Sequence, residues 1–243
     1  MPRANRHYLP GHAWHITHRC HKQEFLLKFA KDRRRWLHWL FEAKKRYGLC
    51  VLNYIVTSNH IHLLVMDTYK GCISNSMQLI AGRTAQEYNQ RKQRKGAFWE
   101  DRYYATAIDT NEYLGKCITY IDLNMVRTGV IDHPSQWKES GYNEIQHPSV
   151  RYNIINRKVL MNLLNIKNND LLVQHHHQWC ETELLNNDNK RNSHWSSAIA
   201  VGSRNFVDTV KHELGHKTVK KHSQHQGELY FIQEQCLSYK PVF

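Results

Sequence analysis

The sequence predicts an α+β fold: a ferredoxin-like sandwich, in which helices cover one face of an antiparallel sheet, followed by a helical C-terminal extension. Three observations predict it. Segments of period-two alternation exchange with single segments of helical spacing, in the order β-α-β-β-α-β-α. A tight turn, with no helix, separates the two middle strands. Past residue 147 the alternation gives way to helical spacing and polar loops.

Each element has its own signal. Residues 1–12 form a short basic arm carrying Arg3 and Arg6. AWHITHR, residues 13–19, alternates and reads as the first strand. Residues 31–47 place Trp36, Leu37, Leu40 and Phe41 on one helical face, and Gly48 stands where a C-cap is wanted. Residues 49–56, rich in β-branched and aromatic side chains, form the second strand. Thr57, Ser58 and Asn59 supply the turn, and residues 60–67 the third strand. Residues 77–92 read as a basic helix. Residues 98–108 alternate around aromatics, as a strand or hairpin. Thr110 N-caps a helix running to about Arg127, which Gly129 ends. The first domain closes at residue 147, in a turn-rich stretch, leaving 148–243 as the extension. There, residues 157–166 and 170–185 read as helices and 186–193 as a loop. Residues 203–214 read as a helix capped by Ser203 and stopped by Gly215.

Composition narrows the function. With 243 residues the chain is long enough for a sizeable core, and its aliphatic runs reach only about four residues, far short of a membrane span of about 20. The first residues lack the apolar stretch of a secretory signal. The six cysteines form no C-x-x-C pair, so reduced thiols and a cytoplasmic location are expected. Lys and Arg exceed Asp and Glu by 34 to 21, and residues 1–150 alone carry 22 basic against 13 acidic side chains. Such an excess favours a polyanionic partner, most often nucleic acid.

Two strings carry chemistry. In Asn59-His60-Ile61-His62-Leu63-Leu64-Val65, the histidines two apart on a strand project to one side, about 7 Å apart at Cα. They suit either a shared divalent cation or a solvated polar face. In Tyr120-Ile121-Asp122-Leu123-Asn124, the tyrosine and the asparagine four later share a helix face. They suit either a phenol nucleophile beside an amide ligand or a buried tyrosine with a hydrogen-bonded asparagine. Tyr113, two turns before Tyr120, is the competing phenol, but position 117 after it is a cysteine, not an amide. His175, His176 and His177, with Cys180 nearby, read as a solvated polar cluster, because three consecutive histidines cannot share one helix face.

Taken together, HITHR, NHIHLLV, FWEDRYYATAI and YLGKCITYIDLNMVRTGVIDHPSQW resemble the HUH single-tyrosine transposase superfamily, and within it the REP-associated tyrosine transposases. That resemblance covers most of residues 1–147. It implies that His60 and His62 bind a divalent metal, Mg²⁺ or Mn²⁺, with Asn124 as the third ligand. It implies that Tyr120 attacks a DNA phosphate, leaving a 5′-phosphotyrosine and a free 3′-OH. The implied substrate is an imperfect single-stranded DNA hairpin flanked by a guide tetranucleotide, and the implied assembly a monomer or homodimer. Thr57 and Ser58 depart from the usual Met-Pro, Met125 from a proline and Thr128 from an alanine, and none of these removes a ligand or the nucleophile. Candidate DNA contacts are Arg3, Arg6, Arg19 and Arg102, the helix-end residues Arg83, Arg94 and Lys95, and Phe98 and Trp99 as base-stacking aromatics. The string AIAVGSRNFVDTVKHELG resembles the C-terminal string of some family members. A non-cutting hairpin-binding protein and a replication or plasmid-transfer nickase are the alternative readings.

Overall fold

The computed structural model describes residues 11–148, 151–186, 192–215 and 221–234. In chain order its elements are β1 (Ala13–Arg19), α1 (Ala30–Tyr47), β2 (Cys50–Val56), β3 (His60–Met66), α2 (Cys72–Arg91), β4 (Tyr104–Ile108), α3 (Glu112–Asp122) and α4 (Asn124–Arg127). Then come α5 (Gly141–Gln146), α6 (Arg157–Leu163), α7 (Asn169–Asn186), α8 (His194–Ser197), β5 (Ala200–Gly202), α9 (Arg204–Leu214), β6 (Lys221–Gln226) and β7 (Leu229–Glu234). The strands form one sheet in the order β2-β3-β1-β4-β5-β7-β6. Its first four strands are antiparallel neighbours throughout. Among the described strands β4 and β5 are the one parallel pair. The α+β architecture expected from the sequence is therefore present.

Helices lie on both faces of that sheet rather than one. Alternation along β1 sends His15 and Thr17 to one side and Trp14, Ile16 and His18 to the other. His18 stacks on Trp99, whose indole N–H donates to the Ala81 carbonyl of α2 at 3.0 Å. Helix α3 lies on the opposite side, where Tyr120 meets His15 and His62. Double coverage explains why every residue of β2 is buried.

Three boundaries shift. Helix α2 begins at Cys72, five residues before the expected start, behind Gly71 at φ +93°. β4 keeps only the second half of the expected strand; Cys20 and Trp99 form an isolated bridge ahead of it. The long helix expected from Thr110 is interrupted at Leu123, and its N-cap is Asn111. Gly48 does cap α1 in the left-handed conformation, at φ +61°.

The extension is not helical alone. It adds β5, β6 and β7 to the sheet, and β5 runs beside β4. Gly202 permits that approach: a Cβ there would lie 2.3 Å from Asp109 Cβ. Asp109 in turn accepts from the Ser203 amide at 3.0 Å and hydroxyl at 2.6 Å. Ser203 caps α9 through the Phe206 amide, as its sequence position implies.

Candidate active site

The site forms where β1 and β3 pair beneath α3. Antiparallel register sets Thr17 opposite His62 and Arg19 opposite His60, so these side chains share one face. His62 is almost fully buried. Its Nδ1 lies 2.9 Å from His15 Nε2, and its Nε2 lies 3.0 Å from the Asn124 amide nitrogen. His15 Nδ1 reaches the main-chain carbonyl of Trp195, 2.6 Å away. The His60 and His62 rings stand 4.9 Å apart, nearly perpendicular. His60 Nδ1 faces Asn59 Oδ1 at 2.7 Å and Thr57 Oγ1 at 2.9 Å.

Tyr120 stands edge-on to both inner histidines, 5.8 Å from the His62 ring and 6.0 Å from the His15 ring. The Arg127 guanidinium lies over its other surface, 4.3 Å from the ring centre, and also bonds the Tyr120 carbonyl. Tyr113 is directed elsewhere: its hydroxyl donates to the Glu228 carbonyl at 3.2 Å, in the turn between β6 and β7. Beside Tyr120 opens a cleft of about 770 Å³ lined in part by Lys116, Thr119, Arg127, Trp179 and Trp195. Burial pushes the His15 imidazole down to about 4, so this ring is neutral at ordinary pH.

The donor set suits a divalent cation. Asn124 Oδ1 is buried with no hydrogen-bond partner. An orphaned acceptor beside an imidazole nitrogen is what a bound cation satisfies. Two imidazoles with one amide oxygen suit Mn²⁺ or Mg²⁺ when phosphate and water complete the shell.

The expected DNA contacts divide. Arg19 sits beside His60. Arg83, Lys95 and Arg102 are exposed. Arg83 lies over the Trp39 ring at 5.5 Å. Arg94 closes the turn after α2 through the Ala97 carbonyl at 2.8 Å. Phe98 corrects the sequence reading: it is 2 % exposed, packed edge-on against Tyr88 and Trp99, and so is a core residue rather than a stacking platform. Trp99 is partly buried, with one face against His18. Arg3 and Arg6 lie outside the described residues.

The histidine run also needs correcting. His176 is fully buried, not solvated. Its Nε2 lies 2.7 Å from Asp122 Oδ2 and its Nδ1 lies 2.7 Å from the Gln146 amide nitrogen, while Asp122 Oδ1 accepts from Asn53. Asp122, His176 and Cys180 bring their ligand-type atoms within 4.8 Å of one another. The carboxylate and imidazole atoms already have hydrogen-bond partners, and burial raises the Cys180 thiol far above its usual range. The Asp122–His176 contact ties α3 to α7.

Sequence reasoning missed His15, Arg127 and Trp195. Alternation along β1 puts His15 on the Thr17 and Arg19 face, and Arg127 follows Tyr120 by two helical turns, so both carried a usable signal. Trp195 carried none, since it contributes a main-chain oxygen.

Residues 9–124 match the family model described as "Transposase IS200 like". The solved structure of a REP-associated tyrosine transposase bound to a REP hairpin is similar in fold, with TM-score 0.51 and 18 % identity over 63 % of this chain and 90 % of that one. A putative transposase from Deinococcus radiodurans R1 matches with TM-score 0.35 and 16 % identity, covering 43 % of this chain and 85 % of that one. No curated protein sequence matches. Among the described residues no helix is long and apolar enough to cross a membrane. The stretch that matches the IS200-like transposase model, residues 9 to 124, holds both histidines, the tyrosine and the asparagine.

Proposed function

We propose that this chain is a metal-dependent transposase that nicks and rejoins single-stranded DNA at repeat hairpins through a 5′-phosphotyrosine. One observation carries the reading: Tyr120 stands edge-on to His62, and the Asn124 amide contacts the same ring. A phenol, two imidazoles and an amide with an orphaned oxygen thus meet on one face of the sheet. The structural neighbour of like fold was solved bound to a REP hairpin, which supports the choice of substrate.

In this reading the scissile phosphate lies over the sheet face between Arg19 and Tyr120. His60, His62 and Asn124 would hold Mg²⁺ or Mn²⁺, which would supply Lewis-acid stabilisation of the charge that builds on the phosphate. The Tyr120 oxygen attacks phosphorus, and the bond to the 3′-oxygen breaks. The products are a 5′-phosphotyrosine and a 3′-OH. A second 3′-OH reverses the step and rejoins the strands, so no nucleotide hydrolysis is needed. Arg127, over the phenol ring, holds Tyr120 in position. Exposed Arg83, Lys95 and Arg102 offer cations to the hairpin backbone. Residues 1–147 form the chemical unit, and residues 148–243 brace it.

The test uses the full chain, a labelled single-stranded hairpin from DNA flanking its own gene, and Mn²⁺ or Mg²⁺. A covalent protein–DNA adduct is expected on a denaturing gel. It vanishes in Tyr120→Phe and on chelation. Hairpin binding with no adduct under either metal, or an undiminished adduct in Tyr120→Phe, overturns the reading.

A further inference from the structure

We propose that His15 is a positioning residue that fixes His62 in the tautomer whose Nε2 carries the lone pair, and that the Trp195 carbonyl anchors it. A carbonyl oxygen only accepts, so His15 Nδ1, 2.6 Å from Trp195 O, carries the hydrogen. His15 is buried, its ring stacked on that of His62, and among the described residues no carboxylate is hydrogen-bonded to it. The Asn124 amide nitrogen only donates and lies 3.0 Å from His62 Nε2, so that atom accepts and the His62 hydrogen sits on Nδ1, facing His15 Nε2. His62 Nδ1, 2.9 Å away, therefore donates to it. In a neutral His62 ring that leaves the Nε2 lone pair directed at Asn124.

His60 is set the same way by two other residues, Asn59 and Thr57. Asn59 Nδ2 donates to the Gln23 carbonyl at 3.1 Å, which turns its Oδ1 toward His60. Thr57 Oγ1 donates to the His60 carbonyl at 2.8 Å, so its lone pair faces the ring. Both groups facing His60 Nδ1 are acceptors, and Nδ1 carries the hydrogen. Two relays, each ending on a main-chain carbonyl, thus present Nε2 of both histidines. Orienting groups behind a ligating imidazole typically change metal affinity about 10–100-fold. The His62 relay crosses 180 positions of sequence to end in the extension, so the extension contributes to the proposed metal centre without supplying a ligand.

This inference rests on the metal reading above, and its test separates the two. The full chain, labelled with ¹⁵N-histidine and free of metal, is examined by long-range ¹H–¹⁵N correlation. His62 is expected as the Nδ1–H tautomer in the parent and to shift to Nε2–H in His15→Phe, which offers no acceptor. Mn²⁺ affinity, read from the electron paramagnetic resonance signal of the free ion, is expected to weaken about 10–100-fold in His15→Phe. His15→Gln, which restores an acceptor oxygen, is expected to recover most of it. An Nε2–H tautomer of His62 in the parent overturns the proposal even if His15→Phe fails to fold. So does a folded His15→Phe that keeps both the Nδ1–H tautomer and the parental affinity. A parent in which Mn²⁺ affinity is indifferent to His60→Ala overturns the metal reading instead, and the tautomer measurement still decides the relay.

Discussion

Phe98 shows what a single residue can and cannot declare. In sequence it stands beside Trp99 in a basic neighbourhood, which suits a base-stacking platform, yet its ring is enclosed by Tyr88 and Trp99. Phe98→Ala should therefore act on stability. A buried phenylalanine truncated to alanine costs about 3–5 kcal/mol, and a urea midpoint lowered accordingly is the expected result. Unchanged stability with lost hairpin affinity contradicts that. The contrast with His60, His62, Tyr120 and Asn124 is instructive. Those four were legible because each pair lies at a spacing, two on a strand or four on a helix, that geometry converts directly into a shared face. His15 obeys the same alternation, but its importance depends on a partner from another strand and a carbonyl from the tail, and neither leaves a mark in a linear pattern. Phe98 fails for the opposite reason, since an aromatic residue in an alternating segment looks the same whether covered by a helix or by solvent.

Between elements, the tie from α3 to α7 is the point where chemistry and scaffold meet. Asp122 lies two residues from Tyr120 and two from Asn124, and it is held by Asn53 from β2 and His176 from α7. Removing His176 leaves a buried carboxyl short of a hydrogen-bond partner, a loss of about 3 kcal/mol. We expect His176→Leu to be destabilised by that order in urea titration, and Asp122→Leu combined with His176→Leu to recover part of the loss, because the orphaned carboxyl is then gone while the Asn53 amide keeps the Ile118 carbonyl. A double variant weaker than His176→Leu alone sinks this account. At the same scale the helices of the extension were legible and its strands were not. Helix α9 has capping chemistry and an apolar face. β5 is three residues long, and the β6 sequence KHSQHQ has no apolar alternation. Such strands exist only because an edge beside β4 is there to receive them.

For the molecule as a whole, one sheet runs from the histidine strands into the tail. The short helix α8 lies against both β4 and β7, and it carries His194 next to the anchoring Trp195. His194 is buried, stacked on Phe231 with ring centres 5.3 Å apart, and its Nε2 has no partner. Desolvation lowers it to about 4. The sign of the linkage follows. Above the unfolded value near 6.5 both states are neutral and stability is full. Below it the unfolded chain takes up a proton that the folded chain refuses, so stability falls as pH drops from about 6.5 toward 4. By pH 5 this one group removes roughly 2 kcal/mol. His15, lowered to about 4 by its own burial, acts in the same direction. The expected result is a thermal midpoint that declines steadily between pH 7 and pH 5, and declines less in His194→Phe, which keeps the stacking on Phe231 but has nothing to protonate. Parallel pH profiles for the two chains would show that His194 is hydrated in solution, and that the seam between α8 and β7 is open to water.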